Sequence, residues 1–170
     1  MDKNVYSLLN EQIQKEIYSA YLYLDMSDYY SDEGLEGFAN WFYVQAQEEM
    51  DHAMLIRTYL LNNSQRIKLL PIDAPQGGYA DFGKPLGDAL AHEEFVTASI
   101  HTIYEAAEAA KDYRAAEFLN WFVKEQGEEE KNASDLIKKY ELFGSDAKGL
   151  YALDQELAAR TYAPPSLVLD

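Results

Sequence analysis

Glu49 and His52 stand three residues apart in a stretch rich in helix-forming residues, so a carboxylate and an imidazole share one face. Followed at three- and four-residue steps, that face reads Phe38, Phe42, Gln45, Glu49, His52, Ile56, Tyr59. Two metal-ligating groups therefore interrupt a largely apolar seam. Burying a carboxylate costs several kcal/mol unless something pairs with it, and a bound cation is one such partner.

Three other seams carry polar interruptions of the same kind. One runs Leu9, Ile13, Glu16, Ala20, Tyr23, Ser27; another Leu86, Leu90, Glu93, Thr97, Ile100, Tyr104, Ala107; the last Leu119, Phe122, Gln126, Glu129, Ala133, Leu136, Tyr140. Glu16 precedes Glu49 by the same interval that separates Glu93 from Gln126, and each second member is followed three residues on by another ligand type, His52 or Glu129. Five carboxylate or amide groups and one imidazole suit a hard or borderline transition metal. Carboxylates at such close quarters repel one another unless a divalent ion holds them ionised. Two ions is the natural count, with Glu49 able to bridge. Di-iron and di-manganese bundles use a Glu from each of two helices and a Glu-x-x-His from each of the others; here the second such motif is replaced by Gln126-x-x-Glu129.

The elements that must position these groups follow from punctuation. Asn4 to about Ser31 lacks Gly and Pro and forms a first helix; Asp32-Glu33-Gly34 is a short turn; Leu35 to about Asn62 forms a second helix, antiparallel to the first. Ser64 to about Lys84 holds Pro71, Pro75, Gly77, Gly78 and Gly83 and is expected as a long loop, with one extended piece at Arg66 to Leu70. Pro85 suits a first helical turn, and a third helix runs to about Ala110. After a break at Lys111-Asp112, a fourth spans about Tyr113 to Phe143, ended by Gly144. A shorter fifth helix is expected from Ala147 to Arg160, before Pro164-Pro165 and a tail over 161–170. Each long helix extends about 40 Å at about 1.5 Å per residue, a distance the loop covers at about 3.3 Å per residue. The fold class is therefore all-α, a four-helix bundle over about 4–143 with one long crossover. The chain is expected as a single domain over 1–170.

Composition narrows the partners. Thirty Asp and Glu stand against 14 Lys and Arg, which argues against nucleic acid or anionic membrane and for attraction of cations. No cysteine is present, which removes disulfides, thiolate metal sites and redox dithiols. Neither an apolar signal core nor a run of 18 apolar residues occurs, so the expectation is a soluble, cytoplasmic protein.

At this point the chain resembles the non-haem ferritins of the prokaryotic type, within the ferritin-like di-iron family. The resemblance covers nearly the whole chain. It is carried by Asn10-Glu11-Gln12 through Glu16 and Tyr23, by Gln47-Glu48-Glu49-Met50-Asp51-His52-Ala53, by His92-Glu93, and by Phe118 to Val123 with Glu125-Gln126-Gly127-Glu128-Glu129-Glu130. Position by position, it implies that Glu16, Glu49 and His52 hold one iron and that Glu49, Glu93 and Glu129 hold a second. Gln126 would hydrogen-bond within the site, and Tyr23 would stand beside the metals as a candidate electron donor. A third iron would bind near Glu48, Glu125 and Glu128, with Glu129 as a further candidate. The resemblance also implies ferroxidase chemistry: ferrous ions oxidised by dioxygen or peroxide at the paired site, then stored as a ferric oxyhydroxide mineral. The shell would be a hollow homo-oligomer of 24 subunits, with the fifth helix around its four-fold axes.

Other readings compete. Met50 occupies the position where bacterioferritins place a haem-ligating methionine, but the missing Glu-x-x-His in the fourth helix points away from them. A rubrerythrin-like peroxidase needs a cysteine-ligated iron domain, which this chain cannot build. A DNA-protecting mini-shell is disfavoured by the ligands inside the bundle and by the fifth helix. A structural helical shell protein predicts that the polar seam residues bind no metal. His92 and His101 are expected as exposed helix residues rather than ligands, and Trp121 as core packing, with an approach to the site as the alternative. Gly127 is expected to admit a close neighbour or a distortion.

Overall fold

The computed structural model describes residues 1–169; Asp170, the last residue of the expected tail, lies outside them. Five helices form: α1 (Lys3–Asp32), α2 (Glu36–Asn62), α3 (Lys84–Ala109), α4 (Tyr113–Phe143) and α5 (Ala147–Leu157). The first four make the bundle, α1 with α2 and α3 with α4 as hairpins, joined across it by the long connection between Asn62 and Lys84. The sequence places the four long helices within one or two residues of these bounds.

Short-range chemistry sets the ends. The Asp2 carboxylate accepts from the Asn4 and Val5 amides at 2.8 and 3.3 Å, and Asp112 and Asp146 cap α4 and α5 in the same way. Gly34, with φ +79°, turns the chain between α1 and α2. The N-terminus of α2 has no cap of its own. Asp154 of α5 supplies one: its Oδ1 accepts from the Gly37 and Phe38 amides at 2.7 and 3.1 Å. A Cβ at position 37 would lie 1.7 Å from the Asp154 carbonyl oxygen, so only glycine permits this docking.

Within the long connection, Arg66 to Leu70 is neither helix nor turn, and the Asn10 side chain brackets Lys68, donating to its carbonyl at 2.8 Å and accepting from its amide at 2.9 Å. One expectation needs correction. The fifth helix ends at Leu157 rather than Arg160. Asn40 stops it, its amide donating to the carbonyls of Leu157 at 3.3 Å and Arg160 at 3.0 Å.

The core falls into two clusters. At one end Val5, Leu9, Ile56, Leu60, Ile100, Ile103 and Leu119 pack around Phe118 and Phe122. At the other, Tyr23, Met26, Tyr30, Phe38, Phe42 and Leu86 meet Leu153 and Leu157 of α5. Between the two clusters lies a buried polar layer.

Candidate metal centre

That layer contains Glu16 from α1, Glu49 and His52 from α2, Glu93 from α3, and Gln126 and Glu129 from α4, all buried. Periodicity puts each on its helix's inward seam, and the hairpins put the seams at one height. One ligand atom from each of Glu16, Glu49 and His52 lies within 4.8 Å of the others, and the same holds for Glu49, Glu93 and Glu129. Glu49 belongs to both sets. His52 turns Nδ1 toward Glu49 Oε2 at 3.4 Å.

Amides hold the carboxylates in place. Gln12 donates to Glu16 Oε1 at 2.9 Å, Gln45 to Glu49 Oε1 at 3.2 Å and to Glu129 Oε2 at 2.7 Å, and Gln126 to Glu93 Oε2 at 3.1 Å. The Tyr23 hydroxyl donates to Glu93 Oε1. Two acceptors remain: Glu16 Oε2 and Glu49 Oε2 are buried and make no hydrogen bond among the described residues. A cation between them would satisfy both.

The electrostatics follow from four carboxyls sharing a dry space. Burial, then repulsion by Glu49, pushes the Glu16 pKa up to about 8. Glu93 is raised to about 8 by the same two causes, and Glu129 to about 8 by burial and then Glu93. Glu49 is raised well above the carboxylate range by burial and by Glu129. Burial and the neighbouring Glu93 also raise the Tyr23 hydroxyl. These groups hold protons at neutral pH unless a cation replaces them.

Beside this layer, Glu48, Glu125 and Glu128 line a cavity of about 290 Å³ together with Arg160 and with His52 and Glu129 of the layer itself. Only part of the expected outer set converges: ligand atoms of His52, Glu125 and Glu129 lie within 4.8 Å of one another. Glu48 is drawn to the Arg160 guanidinium, and Glu128 pairs with Lys124 at 3.4 Å. Burial raises both Glu48 and Glu125, against the opposing pull of Arg160 and His52 respectively.

His101 is exposed, but His92 is not. It sits half-buried with Nε2 2.7 Å from Ser19 Oγ, against the rings of Tyr18 and Tyr23, and burial lowers its pKa to about 4. The expected close neighbour of Gly127 is absent: a Cβ there would meet nothing within 4 Å among the described residues. Met50 is largely exposed. Trp121 packs edge-on against His52 at 5.5 Å between ring centroids and donates to Ser166 Oγ at 2.8 Å. The sequence names Gln12 and Gln45 without a role in the site and does not single out Arg160. The glutamines carried a signal, since each precedes a carboxylate of the layer by four residues, one helical turn. Arg160 carried none.

A helical bundle with two buried donor sets sharing one carboxylate has the ligand arrangement of a carboxylate bundle that could hold metal ions. The family model described as the ferritin-like domain matches residues 6–143, and the chain belongs to that family. Similar proteins include the bacterial non-heme ferritin of Campylobacter jejuni, 37% identical over 155 residues, with 91% of this chain and 93% of the relative covered. That of Staphylococcus aureus is 35% identical over 162 residues, covering 95% and 98%. Among solved structures, the open-pore ferritin of the hyperthermophilic archaeon Archaeoglobus fulgidus superimposes with a TM-score of 0.93 at 40% identity, covering 95% of this chain and 99% of that one. An engineered closed form of the A. fulgidus protein gives 0.93 over 96% and 99%.

Proposed function

We propose that this chain is a subunit of an iron-storage ferritin, and that its buried layer oxidises ferrous iron before storage as a ferric oxyhydroxide mineral. The observation that carries the reading is the pair of orphaned oxygens, Glu16 Oε2 and Glu49 Oε2, within two donor sets that share Glu49. One ferrous ion, as substrate, would take Glu16, Glu49 and His52; the second would take Glu49, Glu93 and Glu129. Held as a pair, the two ions supply two electrons together to dioxygen or peroxide.

The protein's part is positional and electrostatic. Four carboxyls give up protons to bind two divalent ions, and a carboxylate-rich set favours the more highly charged ferric product. The amides of Gln12, Gln45 and Gln126 keep the carboxylates aimed while the ions enter and leave. Tyr23 would be the electron donor beside the ions, a role its hydrogen bond to Glu93 supports. The acidic charge balance favours guidance of ferrous ions to the protein. The reading extends to a cytoplasmic homo-oligomeric shell of 24 subunits, in which α5 packs around the four-fold axes, and to a third ion at the outer cavity.

Anaerobic ferrous titration followed by rapid mixing with dioxygen tests this, on the unaltered protein and on Glu49→Ala. Saturation at two or three ions per subunit, with fast oxidation lost in the variant, is the expected result. Absence of stoichiometric binding, or oxidation indifferent to Glu49, would overturn it in favour of a passive shell.

A further inference from the structure

We infer that Arg160 is a resident cation of the outer cavity, so that a divalent ion gains Glu48 as a ligand only by displacing the guanidinium and the C-terminal strap that carries it. The inference rests on the metal-binding reading above and deepens it at the third position.

Arg160 follows the end of α5, yet its side chain is held by several partners. Nη1 donates to the Trp41 carbonyl at 3.1 Å, and Nη2 to Gln45 Oε1 at 2.9 Å and to Glu48. The guanidinium carbon stacks 4.3 Å from the centre of the Trp41 ring. A planar, permanently charged group held in this way substitutes for a metal ion on a carboxylate. Beyond it the chain crosses the cavity mouth as a strap. Tyr162 donates to Asp51 at 2.7 Å, Ala163 to Ser166 wall the cavity, Trp121 donates to Ser166 at 2.8 Å, and Leu167 and Leu169 pack on the core cluster around Phe118 and Phe122.

The consequence reaches the inner layer through one residue. Arg160 fixes the Gln45 carbonyl oxygen, which leaves the Gln45 amide nitrogen directed at Glu49 and Glu129. Glu129 in turn belongs both to the inner set and to the outer set with His52 and Glu125. Occupation of the outer cavity and release of Arg160 are therefore opposed to the present arrangement of Gln45. By linkage, whatever Arg160 costs the third ion, the third ion costs the docked strap in equal measure. Arg160 is thus a positioning residue that sets the third ion's affinity below that of the first two. Its neighbours make the event visible, because Trp41 stacks on Arg160 and Trp121 is hydrogen-bonded to the strap, and these are the chain's two tryptophans.

The test titrates redox-inert Zn(II) into the assembled protein, reading binding by calorimetry and strap position by tryptophan emission, for the unaltered chain, Arg160→Gln and Arg160→Lys. In the unaltered protein two ions bind tightly with little change in emission, and a weaker third ion shifts emission to the red. Arg160→Gln tightens the third ion by roughly tenfold, within the usual span of coupling between two sites, and starts with red-shifted emission. Arg160→Lys, which keeps the charge, restores weak third-ion binding. Third-ion affinity equal in all three proteins, or no emission change as that ion binds, overturns the role of Arg160 and leaves the paired centre standing. Absence of stoichiometric Zn(II) binding in every protein overturns both readings. Should Arg160→Gln fail to assemble, the emission of the unaltered protein still decides: a red shift as the third ion binds supports the displacement of Arg160, and unchanged emission overturns it.

Discussion

Two groups of acids lie side by side in this bundle, and they solve the same problem in opposite ways. Glu16, Glu49, Glu93 and Glu129 are 1 to 5% exposed and face one another, with no Lys or Arg hydrogen-bonded to any of them among the described residues. Glu48, Glu125 and Glu128 are 21, 27 and 59% exposed, and two of them pair with cations of the chain itself, Arg160 and Lys124. The inner group stores its electrostatic cost as protons, and the outer group discharges its cost to neighbouring side chains and solvent. An inner site of that kind is primed for a doubly charged ion, whereas an outer one must trade away an existing partner.

The largest contrast should come from Glu49→Gln, which has effects of opposite sign. It removes the ligand common to both inner sets, so paired binding of divalent ions should weaken by more than the roughly 10–100-fold typical of losing a group that merely supports a ligand. The metal-free protein should become more stable at pH 8, because the folded pKa of Glu49 lies well above its unfolded value and its burial therefore costs stability there. Thermal unfolding of the metal-free protein should show the rise, at ~2–4 °C per kcal/mol for a chain of this size. A metal-free variant less stable than the parent would mean that Glu49 is already compensated, and the contrast between the groups would collapse.

Next in size is the response to pH. Glu16, Glu93 and Glu129 have pKa values raised to about 8 from the ordinary 4.5. Between those values the folded, metal-free protein binds more protons than the unfolded chain. Stability from these groups is thus full below pH 4.5, falls as pH rises through 8, and levels beyond. A divalent ion must displace the same protons, so its affinity should rise over that window. Titration at pH 7 in weakly buffered solution with an indicator should register more than one proton released per pair of ions, and fewer near pH 9, where Glu16, Glu93 and Glu129 have already ionised. A release that does not change with pH would show that the inner carboxylates are already ionised.

How much of this contrast could be read from the sequence differs between its two halves. The inner group was legible because burial and helical periodicity coincide there: Glu16, Glu49, His52, Glu93, Gln126 and Glu129 interrupt seams that are otherwise apolar, and a periodic signal survives small errors in helix ends. The outer acids lie one step off those seams, where a solvated face looks the same, and only a resemblance to a known family singled them out. Arg160 was invisible because its partners Gln45 and Glu48 lie 115 and 112 residues away and it enters from beyond the end of a helix. The docking of Asp154 on Gly37, 117 residues apart, was hidden for the same reason. Local pattern specifies which residues share a face, but not which loop or tail will fold back on them.

A mutation of intermediate size sharpens the inner half alone. Gln12 donates to Glu16 and accepts from Ser99, which itself accepts from Lys15. Gln12→Leu leaves every proposed ligand in place but frees Glu16 to turn. Affinity for the ion at Glu16, Glu49 and His52 should fall by roughly 10–100-fold, as expected when a ligand loses its orienting hydrogen bond. Binding at Glu49, Glu93 and Glu129 should hold, so calorimetry should separate two steps that are close together in the parent. Equal weakening of both steps would mean that Glu16 is coupled to the whole layer rather than to one ion.

The smallest effect belongs to Glu128→Gln, and its smallness is informative. Glu128 is the most exposed of the three outer acids, and its partner Lys124 stands one helical turn away at 3.4 Å, an arrangement worth about 0–1 kcal/mol. Its ligand atoms do not join those of His52, Glu125 and Glu129. Substituting it should leave stability within about 0.5 kcal/mol of the parent and two-ion binding unchanged, with at most a slight loss at the third ion. Glu125→Gln, which removes a member of that converging set, should weaken the third ion much more. If the two variants weakened it equally, Glu128 would have to leave Lys124 and swing into the cavity when an ion arrives, and the outer group would be an adaptable cluster rather than a partly formed site.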